Sequence, residues 1–297
     1  MKWIIKNPAP ADRRKEKWGD FHFGRSLTRY LERLGEVIET DYQPNWQNKK
    51  KADVVLVIRG RHRYEPQKNS LNIMWNISHP RAVSLEEYNS YDLIFVASHY
   101  YAEMLKNKIK KPLYPLLQCT DTEEFYPRVR LDNSCEKDII FVGNTRAVAR
   151  PCIIWAAEYG LPLKIWGRGW EKWVSTKFIA GKYIDNKNLG TLYARSRATL
   201  NDHWEDMKEY NFINNRVFNA LACGLPVISD YLEELFALFP EEILYYRNKE
   251  EFYNCIKQLN FFYPRLKSSI AAIFPKIEQD FSFKHRAEYL LKTVKKF

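Results

Sequence analysis

The residues of this 297-residue chain best suited to chemistry gather around one strand–loop–helix pattern. Leu200-Asn201-Asp202-His203-Trp204 ends an apolar run in polar groups. Asn214-Asn215-Arg216-Val217-Phe218-Asn219-Ala220-Leu221-Ala222-Cys223-Gly224 then reads as a short helix stopped by glycine, with an apolar strand at Pro226-Val227-Ile228. A polar loop entering a helix leaves backbone N–H groups unbonded in the first turn, and the helix dipole favours an anion there. Arg216 adds a forked cation matched to a phosphate or diphosphate. The plain alternative is an N-capped helix with a surface arginine. His203 and Trp204 follow the strand directly, and Trp204 can stack on a sugar or base or simply fill packing space.

Other candidates lie further apart. Gly143-Asn144-Thr145-Arg146 is a strand running into a glycine loop, without the full glycine pattern of an NAD or FAD site. Gly167-Arg168-Gly169 reads as a turn that can present Arg168 to a substrate. Trp18, Asp20 and His22 sit in a polar stretch, 7–23, expected to be the loop after the first strand. A carboxylate or imidazole there can accept a proton from an attacking hydroxyl; Asp20 can equally cap the next helix, and His22 can pack. His79 lies between an apolar strand and Pro80, as a ligand contact or a satisfied structural histidine. Arg59 and Arg61 flank Gly60, where they can meet an anion or solvate a loop. The six histidines form no HExxH pattern, and Cys119, Cys135, Cys152, Cys223 and Cys255 are scattered. The expectation is reduced thiols and no metal site.

The elements that would carry these residues alternate. β-branched or apolar runs at 2–6, 37–40, 54–58, 72–77 and 93–97 read as strands, and 138–142, 163–166, 198–200, 226–228 and 243–246 form a second series. Leu27, Tyr30, Leu31 and Leu34 mark one face of a helix ended by Gly35. Further helices are expected near 100–106, 148–159, 188–196, 215–223, 249–259 and 284–295. Strands alternating with helices imply parallel sheets built from βαβ units. Prolines 112, 115 and 127, with Asp132-Asn133-Ser134, mark 112–137 as a link. The expected organisation is α/β, two Rossmann-like domains, 1–133 and 134–280, with a C-terminal helix in 281–297 packing back on the first. Sheets of this kind bind ligands at the carboxyl ends of their strands, so two facing sheets would share a crevice.

The formal charge is +11, spread over both halves, and aromatics reach 15% with nine Trp and nineteen Tyr. Such a field suits anionic ligands, nucleic acid or an anionic membrane face. Lys49-Lys50-Lys51 and Lys106, Lys108, Lys110 and Lys111 are local clusters, read first as solvated loops and next as membrane contacts. No apolar run approaches the ~20 residues of a membrane span. The expected setting is cytoplasmic, with peripheral contact at the inner face of the membrane.

Phe141-Val142-Gly143-Asn144, Ile165-Trp166-Gly167-Arg168-Gly169-Trp170, the Leu200–Trp204 stretch and the Asn215–Gly224 helix together resemble glycosyltransferases of the two-Rossmann-domain (GT-B) architecture. More narrowly, they resemble bacterial members with a spore-maturation-type donor domain. Trp18-Gly19-Asp20-Phe21-His22-Phe23, Ile77-Ser78-His79-Pro80 and Phe283-Lys284-His285-Arg286-Ala287 also fit. The resemblance implies a nucleotide-sugar donor in the second domain and a saccharide or lipid-linked acceptor at the first. It implies that Asn215, Arg216 and Val217 hold the diphosphate, that Gly143 and Asn144 form a donor-side loop, and that Tyr183 walls the base. Trp18, Arg59 and His79 become acceptor or cleft residues, with Asp20 as base, or His22. Asn219 stands where many relatives carry a ribose-binding Glu, and Asn211 where retaining members carry another. An inverting, metal-independent transfer in surface-polysaccharide assembly follows, with no nucleic acid bound. The alternatives are a basic α/β nucleic-acid-binding module, which lacks any recognisable motif, and a nucleotide-sugar hydrolase or epimerase of the same fold.

Overall fold

The computed structural model describes residues 1–48, 50–128, 137–145 and 147–297. The chain divides into two compact units, one of residues 1–119, 204–214 and 281–297, the other of 120–203 and 215–280. The expected boundary at 133/134 lies outside the described residues, as do Lys49, Cys135 and Arg146.

The first unit is built on six parallel strands: β1 (Lys2–Pro10), β2 (Val37–Gln43), β3 (Val54–Arg59), β4 (Leu71–Asn76), β5 (Leu93–Val96) and β6 (Leu113–Pro115), in the order β2-β1-β3-β4-β5-β6. β3 is buried at every position, as expected of a strand covered on both faces. Alternation in β1 sends Trp3 and Ile5 into one apolar cluster and Ile4 into another.

Two pieces distant in sequence complete those clusters. Helix Phe283–Val294, capped by Ser282, places Phe283, Ala287, Leu290, Leu291 and Val294 on one stripe in the cluster of Trp3, Phe23 and Leu27. Segment 204–214 contributes Met207 and Phe212 to the opposite cluster, and the Ser98 hydroxyl donates to the Tyr210 carbonyl at 2.7 Å. That segment lies inside the range 134–280 expected for the second domain, but its apolar side chains are buried in the first unit.

The second unit repeats the plan with β7 (Ile139–Val142), β8 (Leu163–Trp166), β9 (Ile179–Gly181), β10 (Ala198–Asn201), β11 (Val227–Asp230) and β12 (Ile243–Tyr246), in the order β12-β11-β10-β7-β8-β9, all parallel. The chain starts this sheet at β7, builds β8 and β9 to one side, then crosses to β10 on the other. The strand order therefore reverses between β7 and β10, and in open α/β sheets the ends of such a strand pair form a natural crevice.

Candidate active site

Helix Asn215–Ala222 begins where the sequence places it, with Arg216 as its second residue. The side chain is half-buried and lies across the ends of β7 and β10. Its Nη1 donates to Asn201 Oδ1 at 3.0 Å, and its Cζ stands 4.9 Å from the centre of the Phe141 ring. Gly143 makes room for it: a Cβ there would lie 3.0 Å from Arg216 Nη2. Asn215 is half-buried and Val217 fully buried, so Val217 anchors the helix in the core.

Arg150 is a second cation at this point, and sequence reasoning did not single it out. It immediately precedes helix Pro151–Glu158, pairs with the Asp202 carboxylate, and lies 5.4 Å from the same Phe141 ring. Burial, together with the neighbouring Arg150 charge, holds the Arg216 guanidinium below its ordinary pKa. Burial raises the Asp202 carboxyl, against the opposing pull of Arg150. The two guanidinium groups on one ring repel each other; the Asp202 carboxylate offsets part of that repulsion, and an added anion would offset more. The signal for Asp202 was its place at the polar end of a buried strand. Arg150, seven residues past Gly143, gave none.

The glycine loops interlock beside this pair. Gly143 N donates to the Trp166 carbonyl at 2.8 Å, and the Trp170 indole N–H donates to the Gly143 carbonyl at 2.8 Å. Arg168 N donates to Asn144 Oδ1 at 2.8 Å, leaving both side chains exposed at the strand ends. Tyr183 is half-buried in the loop after β9. The His203 side chain is buried, with Nδ1 2.7 Å from Asp230 Oδ1, so it braces the strand ends rather than offering a ring to solvent. Asn219 is 8% exposed, and no hydrogen bond from its carboxamide occurs among the described residues.

In the first unit, Asp20 and His22 are not in a loop. β1 runs on to Pro10, and helix Gly19–Arg33 takes both into its first turns. Asn7 secures this start, its Nδ2 donating to the Asp20 carbonyl at 2.7 Å. A carboxylate at that helix end is also favoured by the dipole. Asp20 and His22 are half-buried, His22 Nε2 lies 2.7 Å from the Glu16 carbonyl, and Trp18 is 40% exposed.

Arg59 departs from expectation. It is 2% exposed, its Nε and Nη2 hold Glu87 at 2.6 and 2.9 Å, and it also donates to the Ala82 and Gly60 carbonyls. An arginine satisfied in this way ties loops together and is not available to an acceptor.

His79 adopts a left-handed backbone (φ 54°), uncommon outside glycine but more often adopted by His than by most residues. Its Nε2 accepts from Arg61 Nε at 3.2 Å, its Nδ1 lies 3.6 Å from Asp206 Oδ2, and its ring lies 5.8 Å from that of Trp204. Asn211 is also left-handed (φ 57°), which Asn tolerates and Glu does not. The backbone thus disfavours Glu at that position.

Residues 150–292 match the family model described as glycosyl transferase-like. No curated protein is matched in sequence. Among solved structures, sucrose-phosphate synthase from Thermosynechococcus elongatus superposes with a TM-score of 0.75 at 12% identity, over 100% of this chain and 98% of that one. HepE from Anabaena, in complex with UDP, gives 0.66 at 11% identity over the whole of both chains. The β-glucosyltransferase of T4 phage with its UDP-glucose substrate gives 0.64 at 14% identity over 99% of each. These likenesses show the fold. Fold and family match agree: residues 150–292 carry a glycosyl transferase-like domain, and the chain has the two-Rossmann-domain, GT-B fold.

Proposed function

We propose that the enzyme moves a sugar from a nucleotide-sugar donor to a hydroxyl of a saccharide or glycolipid acceptor. The observation that carries the donor reading is the convergence of Arg216 and Arg150 on Phe141 at the β7/β10 strand ends, beside a helix start. A nucleoside diphosphate fits that arrangement, because two forked cations and a helix dipole neutralise it. Structural neighbours with UDP or UDP-glucose bound make uridine the first base to test. Asn219 would hydrogen-bond the ribose and Tyr183 would flank the base.

The chemistry proposed is inverting. The acceptor oxygen attacks the anomeric carbon, its proton passes to Asp20 (or His22), and the sugar–phosphate bond breaks with its electrons on the leaving diphosphate. Arg216 and Arg150 stabilise that charge as it develops. The acidic pair of the retaining pattern is Asn211 and Asn219 here. With charge neutralised by guanidinium groups, the proposal includes turnover without a divalent ion. Its setting is bacterial surface-polysaccharide assembly at the cytoplasmic membrane face, with a donor unit of the spore-maturation type.

The test is sugar release and transfer from UDP-sugars by the parent and by Arg216→Ala. Loss of about 10²-fold or more in kcat/KM is expected, as for removal of a donor facing developing charge. Unchanged turnover by a folded Arg216→Ala protein would sink the donor assignment. Transfer to water alone would favour the hydrolase reading.

A further inference from the structure

In the second unit, helices Lys249–Phe261 and Tyr263–Ala272 meet at Phe261-Phe262. Phe261 is 80% exposed and Phe262 49%, with ring centroids 4.7 Å apart. Each ring left in water forgoes the stabilisation that burial would give. Exposed Tyr253 lies two turns before Phe261 on the first helix. Between them Lys257 places its Nζ 4.5 Å from the Tyr253 ring centre. On the other side Arg197 lies 4.0 Å over the Tyr263 ring and reaches Asn260 Oδ1 at 3.5 Å. Arg265 follows, exposed. From Phe252 to Ile277 the sequence contains Lys257, Arg265, Lys267 and Lys276 and no Asp or Glu.

We propose that this corner is a docking surface for an anionic lipid bilayer. The two phenyl rings enter the boundary between headgroups and acyl chains, while Lys257, Arg197 and Arg265 meet lipid phosphates. Charge complementarity selects the occupant: an apolar tip flanked by Lys257, Arg197 and Arg265, on a stretch (252–277) without Asp or Glu, matches a surface that is negative outside and hydrocarbon beneath. A protein partner fits less well, because two rings of about 200 Å² each fall short of the roughly 800 Å² a side of a stable protein interface. The inference deepens the membrane-side setting proposed above and is independent of the donor assignment.

The experiment is co-sedimentation of the whole protein with phosphatidylcholine vesicles, with and without phosphatidylglycerol, at low salt and at about 0.5 M, where surface charges are screened. Retention on the anionic vesicles, reduced by salt, is expected. The double variant F261S/F262S should weaken it at least tenfold, about 1.4 kcal/mol. K257E/R265E should weaken it by more than about fivefold per charge. These side chains are exposed, so unchanged thermal unfolding and unchanged UDP binding serve as controls. Failure of UDP binding alone would count against the donor reading and not against this one.

Four results would overturn the docking surface. Failure of the parent to bind anionic vesicles is the first, and binding by F261S/F262S equal to the parent's is the second. The third is loss of binding only when Lys106, Lys108, Lys110 and Lys111 are changed to Ser. Loss of oligonucleotide binding, rather than of vesicle binding, in F261S/F262S would equally overturn it.

Discussion

Lys6 is fully buried, yet its ammonium is satisfied: it donates to Asp41 Oδ2 at 2.8 Å and to the Trp46 carbonyl at 2.6 Å, and lies 5.0 Å from the Tyr64 ring centre. Burial pushes the Asp41 carboxyl up, but hydrogen bonds and charges from Lys50 and Lys6 outweigh it, leaving a net depression. A depressed carboxylate stabilises the fold above its unfolded value of about 4 and loses that contribution as pH falls through the folded value. Asp41→Asn should therefore destabilise the protein by about 3–5 kcal/mol at pH 7, since it leaves Lys6 buried without its counter-charge. In urea unfolding, the gap between variant and parent should narrow below about pH 4. A gap unchanged with pH would mean that the pair does not control this energy. The same electrostatic logic runs at Arg150, which pairs with the Asp202 carboxylate beside Arg216.

At the scale of elements, two short loops shape the donor side. A Cβ on Gly167 would stand 2.0 Å from the Gly143 carbonyl oxygen, which only backbone movement can relieve. A Cβ on Gly143 would meet the movable end of Arg216 at 3.0 Å and the Phe141 ring at 3.1 Å, contacts that side chains relieve by shifting a few tenths of an ångström. Gly167→Ala should cost about 1–3 kcal/mol of stability, like other overpacked sites. Gly143→Ala should raise the donor KM severalfold with a smaller change in stability. Chemical denaturation and donor titration separate the two, and equal stability losses would contradict the contrast.

The sequence missed β6 and β9, each three residues long and each at a sheet edge. Such runs are too short to show a period, and β6 ends in Pro115, a residue tolerated at edges. Asp20 and His22 were misplaced for a related reason: their helix starts four residues before its first fully buried apolar side chain, Phe23.

At the scale of the whole molecule, the first unit depends on chain far from its sheet. Leu290 is fully buried beside Trp3 and Leu27, so Leu290→Ala should cost about 2–5 kcal/mol. Thermal unfolding would show it, and a change below 1 kcal/mol would mean the helix Phe283–Val294 is dispensable to that core. Nucleotide binding should raise the stability of the intact protein by mass action, about 2.7 kcal/mol at a hundredfold excess over Kd. Arg216→Ala should abolish the UDP-induced shift, and EDTA should leave it intact. A shift that needs added divalent ion would reject the metal-independent reading.

Local chemistry determined much of this protein directly. β-branched runs specify buried parallel strands, the Leu27–Leu34 stripe specifies a helix, and the Asn215–Ala222 run, closed by a left-handed Gly224 (φ 70°), specifies a second, shorter one. These depend on neighbours within a few residues, which a sequence displays. Only the tertiary structure decided that 204–214 belongs with the first sheet, that Arg59 is consumed by Glu87, and that Arg150 joins Arg216 over Phe141. Such pairings rest on burial and on charges brought together from distant positions, and neither distance nor desolvation is written in the order of residues.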